Sequence, residues 1–166
     1  MSARALAIEP LTREGFAPFG DVIESEGRPH HPINAGTAQR YDDLAKLDVA
    51  ASGGQAQISL CRAEPVALPL RLRLMERHPL ASQAFIPLSG TPFLIVVAPP
   101  TETLELAALR AFRSNGRQGI NYRRGTWHHP LLALERVSDF LIVDRSGAGA
   151  NCDEISIAER GIVLGP

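Results

Sequence analysis

The chain has 166 residues, 45% hydrophobic and 21% charged, with a formal net charge of −1. That length suits one domain of common size, roughly 100–150 residues, so a single domain spanning residues 1–166 is expected. The composition excludes a disordered chain. Near-neutrality excludes nucleic acid as a main partner, because phosphate binding draws on clustered excess positive charge. Of the 17 basic residues only Lys46 is lysine; the rest are arginine. Two readings stand: carboxylate recognition by planar guanidinium forks, or codon bias. Cys61 and Cys152 do not make a disulfide framework, and Asp153 and Glu154 disfavour a thiolate at Cys152. Both cysteines read as structural. The start, MSARALAIEP, lacks a signal-peptide core, and no apolar run approaches the ~20 residues of a membrane helix. A cytoplasmic protein without membrane contact is expected.

In chain order, Thr12 can cap a short helix that Pro18 ends, and a weak helical signal covers Asp42 to Leu47. Residues 56–62 (AQISLCR) alternate, with Ile58, Leu60 and Arg62 on one face. Residues 92–98 (PFLIVVA) and 140–143 (FLIV) are apolar on both faces and read as central, covered strands. Asn115-Gly116 is a turn of the kind that closes hairpins, and Ser146 to Ala150 is a loop of small residues. Many short strands separated by turns define an all-β sandwich or barrel with a few short helices.

Two stretches carry candidate chemistry. In residues 68–90 (LPLRLRLMERHPLASQAFIPLSG), successive strand side chains point to opposite faces. Leu70, Leu72 and Leu74 then share a face that Glu76 and His78 continue, while Arg71, Arg73, Met75 and Arg77 point away. An apolar row ending in a carboxylate and an imidazole describes a strand running through a core into a pocket. Pro79 breaks it, and Gln83 begins the next strand with Phe85 at the same parity. In residues 119–134 (GINYRRGTWHHPLLAL), Gly125 permits a tight approach. His128 shares parity with Leu132 and Leu134 and therefore faces inward, with His129 on the opposite face. Trp127, Asn121 and Tyr122 read as pocket walls.

These stretches resemble the two cupin signatures. The first reads His-x-His, four residues, Glu, six residues, Gly; the same spacing here gives Glu76-x-His78, Gln83 and Gly90. The second ends Gly-x-x-His, matched by Gly125 and His128. The resemblance implies a cupin-like barrel or jelly roll, with one divalent transition metal such as Ni2+ or Mn2+ on Glu76, His78, Gln83 and His128, and no organic cofactor. Glu76 replaces a histidine, Gln83 replaces the glutamate, and Leu132 stands where asparagine is usual. A neutral amide is a poor ligand, so the spacing implies the fold more firmly than the metal.

A closer resemblance runs from Glu9 to Glu154. EPLTREGFAPFGDVIE, HPINAGTAQRYDDLA, ERHPLASQAFIPLSG, LRAFRSNGRQGINYRRGTWHHPL and SDFLIVDRSGAGANCDE together resemble the ureidoglycolate lyases of allantoin degradation. This implies a homodimeric, cupin-like enzyme that splits ureidoglycolate into glyoxylate and urea. Such chemistry removes a hydroxyl proton and protonates a departing nitrogen, work suited to histidine near neutral pH. His78, His128 and Glu76 are the catalytic candidates. Arg62 is the candidate for holding the carboxylate of this small anionic substrate, with Gln83, Asn121, Tyr122 and His129 as further contacts. Alternative readings are a metal-dependent cupin isomerase or oxygenase, a non-catalytic carboxylate-binding module, and an amidohydrolase that releases ammonia from the same substrate.

Overall fold

The computed structural model describes residues 4–165; Met1 to Ala3 and Pro166 of the expected 1–166 unit lie outside them. The chain opens with β1 (Arg4–Leu6), β2 (Ile8–Pro10), α1 (Arg13–Phe16), β3 (Gly20–Ile23), the hairpin β4 (His31–Ile33) and β5 (Ala38–Arg40), and the long β6 (Gln55–Ala63). Next come β7 (Leu70–Arg71), β8 (Leu74–Arg77), β9 (Gln83–Pro87), β10 (Phe93–Ala98), β11 (Arg110–Arg113) and β12 (Gly119–Tyr122). The last strands are β13 (Trp127–His128), β14 (Leu132–Ala133), β15 (Ser138–Ser146), β16 (Asp153–Ser156) and β17 (Ile162–Leu164). The expected all-β class is observed. Among the described residues no helix is long and apolar enough to cross a membrane.

Apart from the separate β4–β5 hairpin, the strands form three stacked layers. The middle sheet runs β16-β8-β13-β10-β11-β2, with β14 also on β10; one neighbour is β3-β12-β9-β15-β6, the other β1-β17-β7. Strand β10 shows why: Phe93, Ile95 and Val97 pack with Phe85, Ile120, Tyr122 and Phe140 of the five-stranded sheet. Its alternate residues Leu94, Val96 and Ala98 pack with Leu6, Ile162 and Leu164 of the three-stranded one. A strand covered on both faces must be apolar at every position, and burial of each such side chain contributes about 1.5–3 kcal/mol.

The helix forms where expected, with Thr12 Oγ1 accepting from the Gly15 amide at 3.0 Å. Elsewhere the structure departs from expectation. Asp42 to Leu47 is irregular rather than helical: Asp43 takes a positive φ of 53°, and the segment is pinned to β3 and β12 by Asp21 and Asn121. Asn115-Gly116 turns the chain, with Asn115 Oδ1 accepting from the Arg117 and Gln118 amides and Gly116 at φ 87°. That turn does not close a hairpin, because β11 and β12 belong to different sheets.

Arg62 is the main correction. Ile58, Leu60 and Arg62 do share a face, but it is the outer one, with Ile58 and Leu60 each 72% exposed. Arg62 lies directly across from Asp139 of β15 and forms an exposed bidentate pair with it, at 2.7 and 2.9 Å. Alternation alone does not say which face another layer covers.

Candidate active site

The middle sheet and the five-stranded sheet together build one cluster of acceptor groups. Glu76 on β8 lies directly across from His128 on β13 and from Glu154 on β16, so all three share the face turned to the five-stranded sheet. His128 is 2% exposed, and its Nε2 lies 3.3 Å from Glu76 Oε1. His78 stands just beyond β8, its ring 5.1 Å from that of His128 between centroids. The Gly125 amide donates to the His78 carbonyl at 2.9 Å, with Gly125 at φ 77°, so the tight turn before His128 clasps the end of β8. From β9, Gln83 places Oε1 3.1 Å from His78 Nε2. From β12, Tyr122 stacks on His128 at 4.2 Å and 14°.

Backbone carbonyls settle how the imidazoles are used. His78 Nδ1 lies 2.6 Å from the Asn151 carbonyl, and His128 Nδ1 lies 2.9 Å from that of Thr126. A carbonyl only accepts, so each Nδ1 carries the hydrogen and each Nε2 turns into the cluster as a lone pair or a protonated site. His128 Nε2 is buried without a well-formed hydrogen bond. With a proton it pairs with Glu76; without one, two acceptors face each other.

The nearby imidazoles, His128 foremost, hold the Glu76 carboxyl below the usual carboxylate range despite its partial burial. Burial, aided by the Glu76 charge, pushes the Tyr122 phenol upward, so it stays neutral. Burial lowers the pKa of His129, which lies within the field of Glu76 and His128 and whose Nδ1 faces the Pro130 carbonyl at 2.8 Å. Burial and neighbouring carboxylates raise that of Cys152, in keeping with an unreactive thiol.

Of the sequence candidates, the structure thus gathers Glu76, His78, Gln83, His128 and Tyr122, with His129 beside them. Arg62 and Asn121 lie elsewhere. Asn121 is on the outer face of β12, where its Nδ2 donates to Asp21 Oδ2 and the Lys46 carbonyl. Trp127 also points away, into the core with Leu72 and Met75. Two surface hollows lie apart as well, one bordered by Ile8, Pro10, Asn115 and Gln118, another by Arg13, Arg28, Lys46 and Arg123.

Sequence reasoning missed three contributors: Asp144, Asn151 and Glu154. Asp144 was legible, since it continues the parity of Phe140 and Ile142 on β15. Asn151 acts through its backbone, which no side-chain pattern records. Its loop is held by Arg145, whose buried guanidinium donates to the carbonyls of Ala51, Ser52, Gly147 and Ala148 at 2.7–3.4 Å.

Two histidines, a glutamate and a glutamine thus meet between two facing sheets of an all-β chain. The model of the ureidoglycolate lyase family matches residues 3–164, and the chain belongs to that family. It is 58% identical over 164 residues to a ureidoglycolate lyase of Stutzerimonas stutzeri, covering 98% of this chain and 96% of that one. It is 55% identical over 161 residues to one of Pseudomonas putida, covering 97% and 96%. Among solved structures it is similar to RmlC from Streptococcus suis in complex with dTDP-D-xylose. That match has 14% identity and a TM-score of 0.45, and covers 90% of this chain and 74% of that one.

Proposed function

We propose that this chain is a cytoplasmic ureidoglycolate lyase of allantoin degradation, acting as one catalytic domain over residues 1–166. The observation that carries this reading is the convergence of Glu76, His78 and His128, with acceptor atoms all within 4.8 Å of one another, in a member of the ureidoglycolate lyase family. In the reaction the hydroxyl O–H electron pair becomes the new C=O bond of glyoxylate. The C–N pair leaves with the nitrogen, and the hydroxyl proton ends on that nitrogen to give urea. One proton therefore moves from oxygen to nitrogen, and one group can take and return it. Glu76, kept ionised beside His128, takes the proton, and the His128 ring, which favours the ionised carboxylate, promotes its release to the nitrogen. His78 supports the nitrogen side of the transfer. Tyr122 and His129 wall the site, and Gln83 offers its amide oxygen to the substrate or to an ion.

The donor set fits a divalent cation. Two imidazoles and Glu76 offer ligand atoms within 4.8 Å of one another, Gln83 Oε1 lies 3.1 Å from His78 Nε2, and His128 Nε2 is buried with no good partner. Hydrogen bonds from each Nδ1 to a backbone carbonyl fix rings in the way metal-binding histidines are commonly fixed. Charge argues likewise, since Glu76 and Glu154 confront a substrate that is itself an anion. Glu76, His78, His128 and Gln83 would hold an ion such as Ni2+ or Mn2+. When bound it supplies charge for the substrate carboxylate and the developing alkoxide.

Purified protein given ureidoglycolate is expected to release glyoxylate and urea in equal amounts, and a chelator should suppress turnover. Ammonia in place of urea would make the protein an amidohydrolase instead. Full activity after chelation and dialysis would remove the ion from the reading.

We further propose a homodimer formed through the outer face of the five-stranded sheet. The 43–49 segment covers the β3–β12 half of that face through Asn121 and Lys46. The other half presents Ile58, Leu60 and Leu88 exposed, with Ile86, Leu141 and Val143 partly so. Contiguous apolar patches of this kind mark association surfaces. The Arg62–Asp139 pair at its rim offers both signs of charge, so a second copy related by a two-fold axis meets unlike charges. Leu60→Glu is expected to convert a dimer to a monomer by light scattering. A dimer that persists in the variant would place the interface elsewhere.

A further inference from the structure

We propose that Asp144 is a positioning residue that decides which end of the Gln83 amide faces the Glu76–His78–His128 cluster. The inference rests on the reading of that cluster as a cation-assisted site, where the two ends of an amide are not equivalent. A carboxamide has a donor end and an acceptor end of nearly the same shape, and only the oxygen can serve a cation. Packing alone distinguishes them poorly; a neighbouring group must choose.

Asp144 is placed to choose. On β15, Val143 lies across from Ala84, so Asp144 stands one position beyond it, on the same inward face as Gln83. Its Oδ2 accepts from Gln83 Nε2 at 3.3 Å. Its Oδ1 accepts from Nε2 of Gln57, directly across on β6, at 2.8 Å. An ionised carboxylate only accepts, so a reversed Gln83 would set oxygen against oxygen. The observed orientation instead turns Oε1 toward His78 Nε2 at 3.1 Å.

The same device then appears three times. The Asn151 carbonyl orients His78, the Thr126 carbonyl orients His128, and the Asp144 carboxylate orients Gln83. Each occupies a donor from outside and leaves an acceptor inside. This gives the neutral glutamine a use in a position where the cupin signature carries a carboxylate: Asp144 supplies, one residue further out, the charge that Gln83 lacks.

Two readouts on the full-length protein test this. In chelator-treated wild-type protein, the Gln83 side-chain amide protons are expected to show nuclear Overhauser contacts to the Asp144 Hβ protons and none to His78 Hε1. In Asp144→Asn, an isosteric variant whose amide can donate, contacts to His78 should appear. The second readout is Mn2+ or Ni2+ affinity by calorimetric titration. Asp144→Asn is expected to weaken binding by about 10–100-fold, the usual cost of losing a group that orients a ligand. In the Gln83→Glu background both ends are oxygen, so adding Asp144→Asn should cost nothing further. Amide protons facing His78 in the wild type would overturn the proposal, as would an equal loss of affinity in both backgrounds. Failure of the wild type to bind either ion would overturn the cation-assisted reading instead, while the nuclear Overhauser contacts would still decide the orientation of Gln83.

Discussion

His128→Ala should lower kcat by about 10²-fold or more with the fold intact, because it removes a group placed to move protons or hold an ion. His128 sits closest to Glu76, and its ring is what keeps that carboxylate ionised. Removing it strips away the partner that returns Glu76 to its ionised form and one acceptor of the cation set together. Both effects act on the transition state, so the loss should appear in kcat and in kcat/KM alike. Thermal melts must come first, since Tyr122 stacks on the ring and loses its partner. His128→Asn, smaller and still polar, provides a second variant if alanine destabilises. Arg62→Ala provides the contrast. It lies on the outer face, paired with Asp139 and away from the cluster, so KM should stay within about twofold. A folded His128→Ala enzyme with full activity would mean that the cluster is not the reaction centre.

Phe140→Ala is expected to destabilise the protein by about 3–5 kcal/mol, the range for emptying a buried aromatic site. Phe140 is fully buried and meets Phe93 of the middle sheet edge-on at 5.2 Å, 78° between planes. It therefore joins the two sheets whose facing surfaces form the cluster. The cavity cannot collapse easily, because β15 is held on both sides, by β6 and by β9. Chemical denaturation measures the loss; a change under about 1 kcal/mol would show that the sheets can close over the gap. Phe140→Leu, which keeps most of the volume, should cost less.

The residues that alternate most plainly were legible in the sequence, but the reason for their direction was not always the one first read. Strand β10 reads as covered on both faces because it is the middle layer, and it is. Glu76 and His78 do turn to the cluster, yet not by continuing the row from Leu72. The chain leaves β7 in one sheet and re-enters as β8 in another, and Leu72 packs with Met75 on the opposite side. His128 likewise faces inward while Leu132 and Leu134 do not, because Pro130 resets the parity between β13 and β14. Strand parity is reliable only within one unbroken strand. Arg62 failed for a different reason: period two separates two faces without saying which one a further layer will cover. Asp144 was passed over because the apolar run FLIV ends just before it, although its parity already placed it inside. The carbonyls that orient both histidines carry no side-chain signal, and only the folded backbone reveals them.

The grip of Arg145 on the loop behind His78 bears on how this protein can change over generations. All four carbonyls it holds belong to the backbone, so replacements at Ala51, Ser52 or Ala148 leave the acceptors in place. The demand for a particular residue is thereby concentrated at one codon, and its neighbours are freed to drift. Replacing Arg145 removes the donor from all four carbonyls at once, whereas the residues it holds can vary through any side chain their backbone angles admit. Selection on the geometry around His78 thus falls on a residue that never enters the reaction.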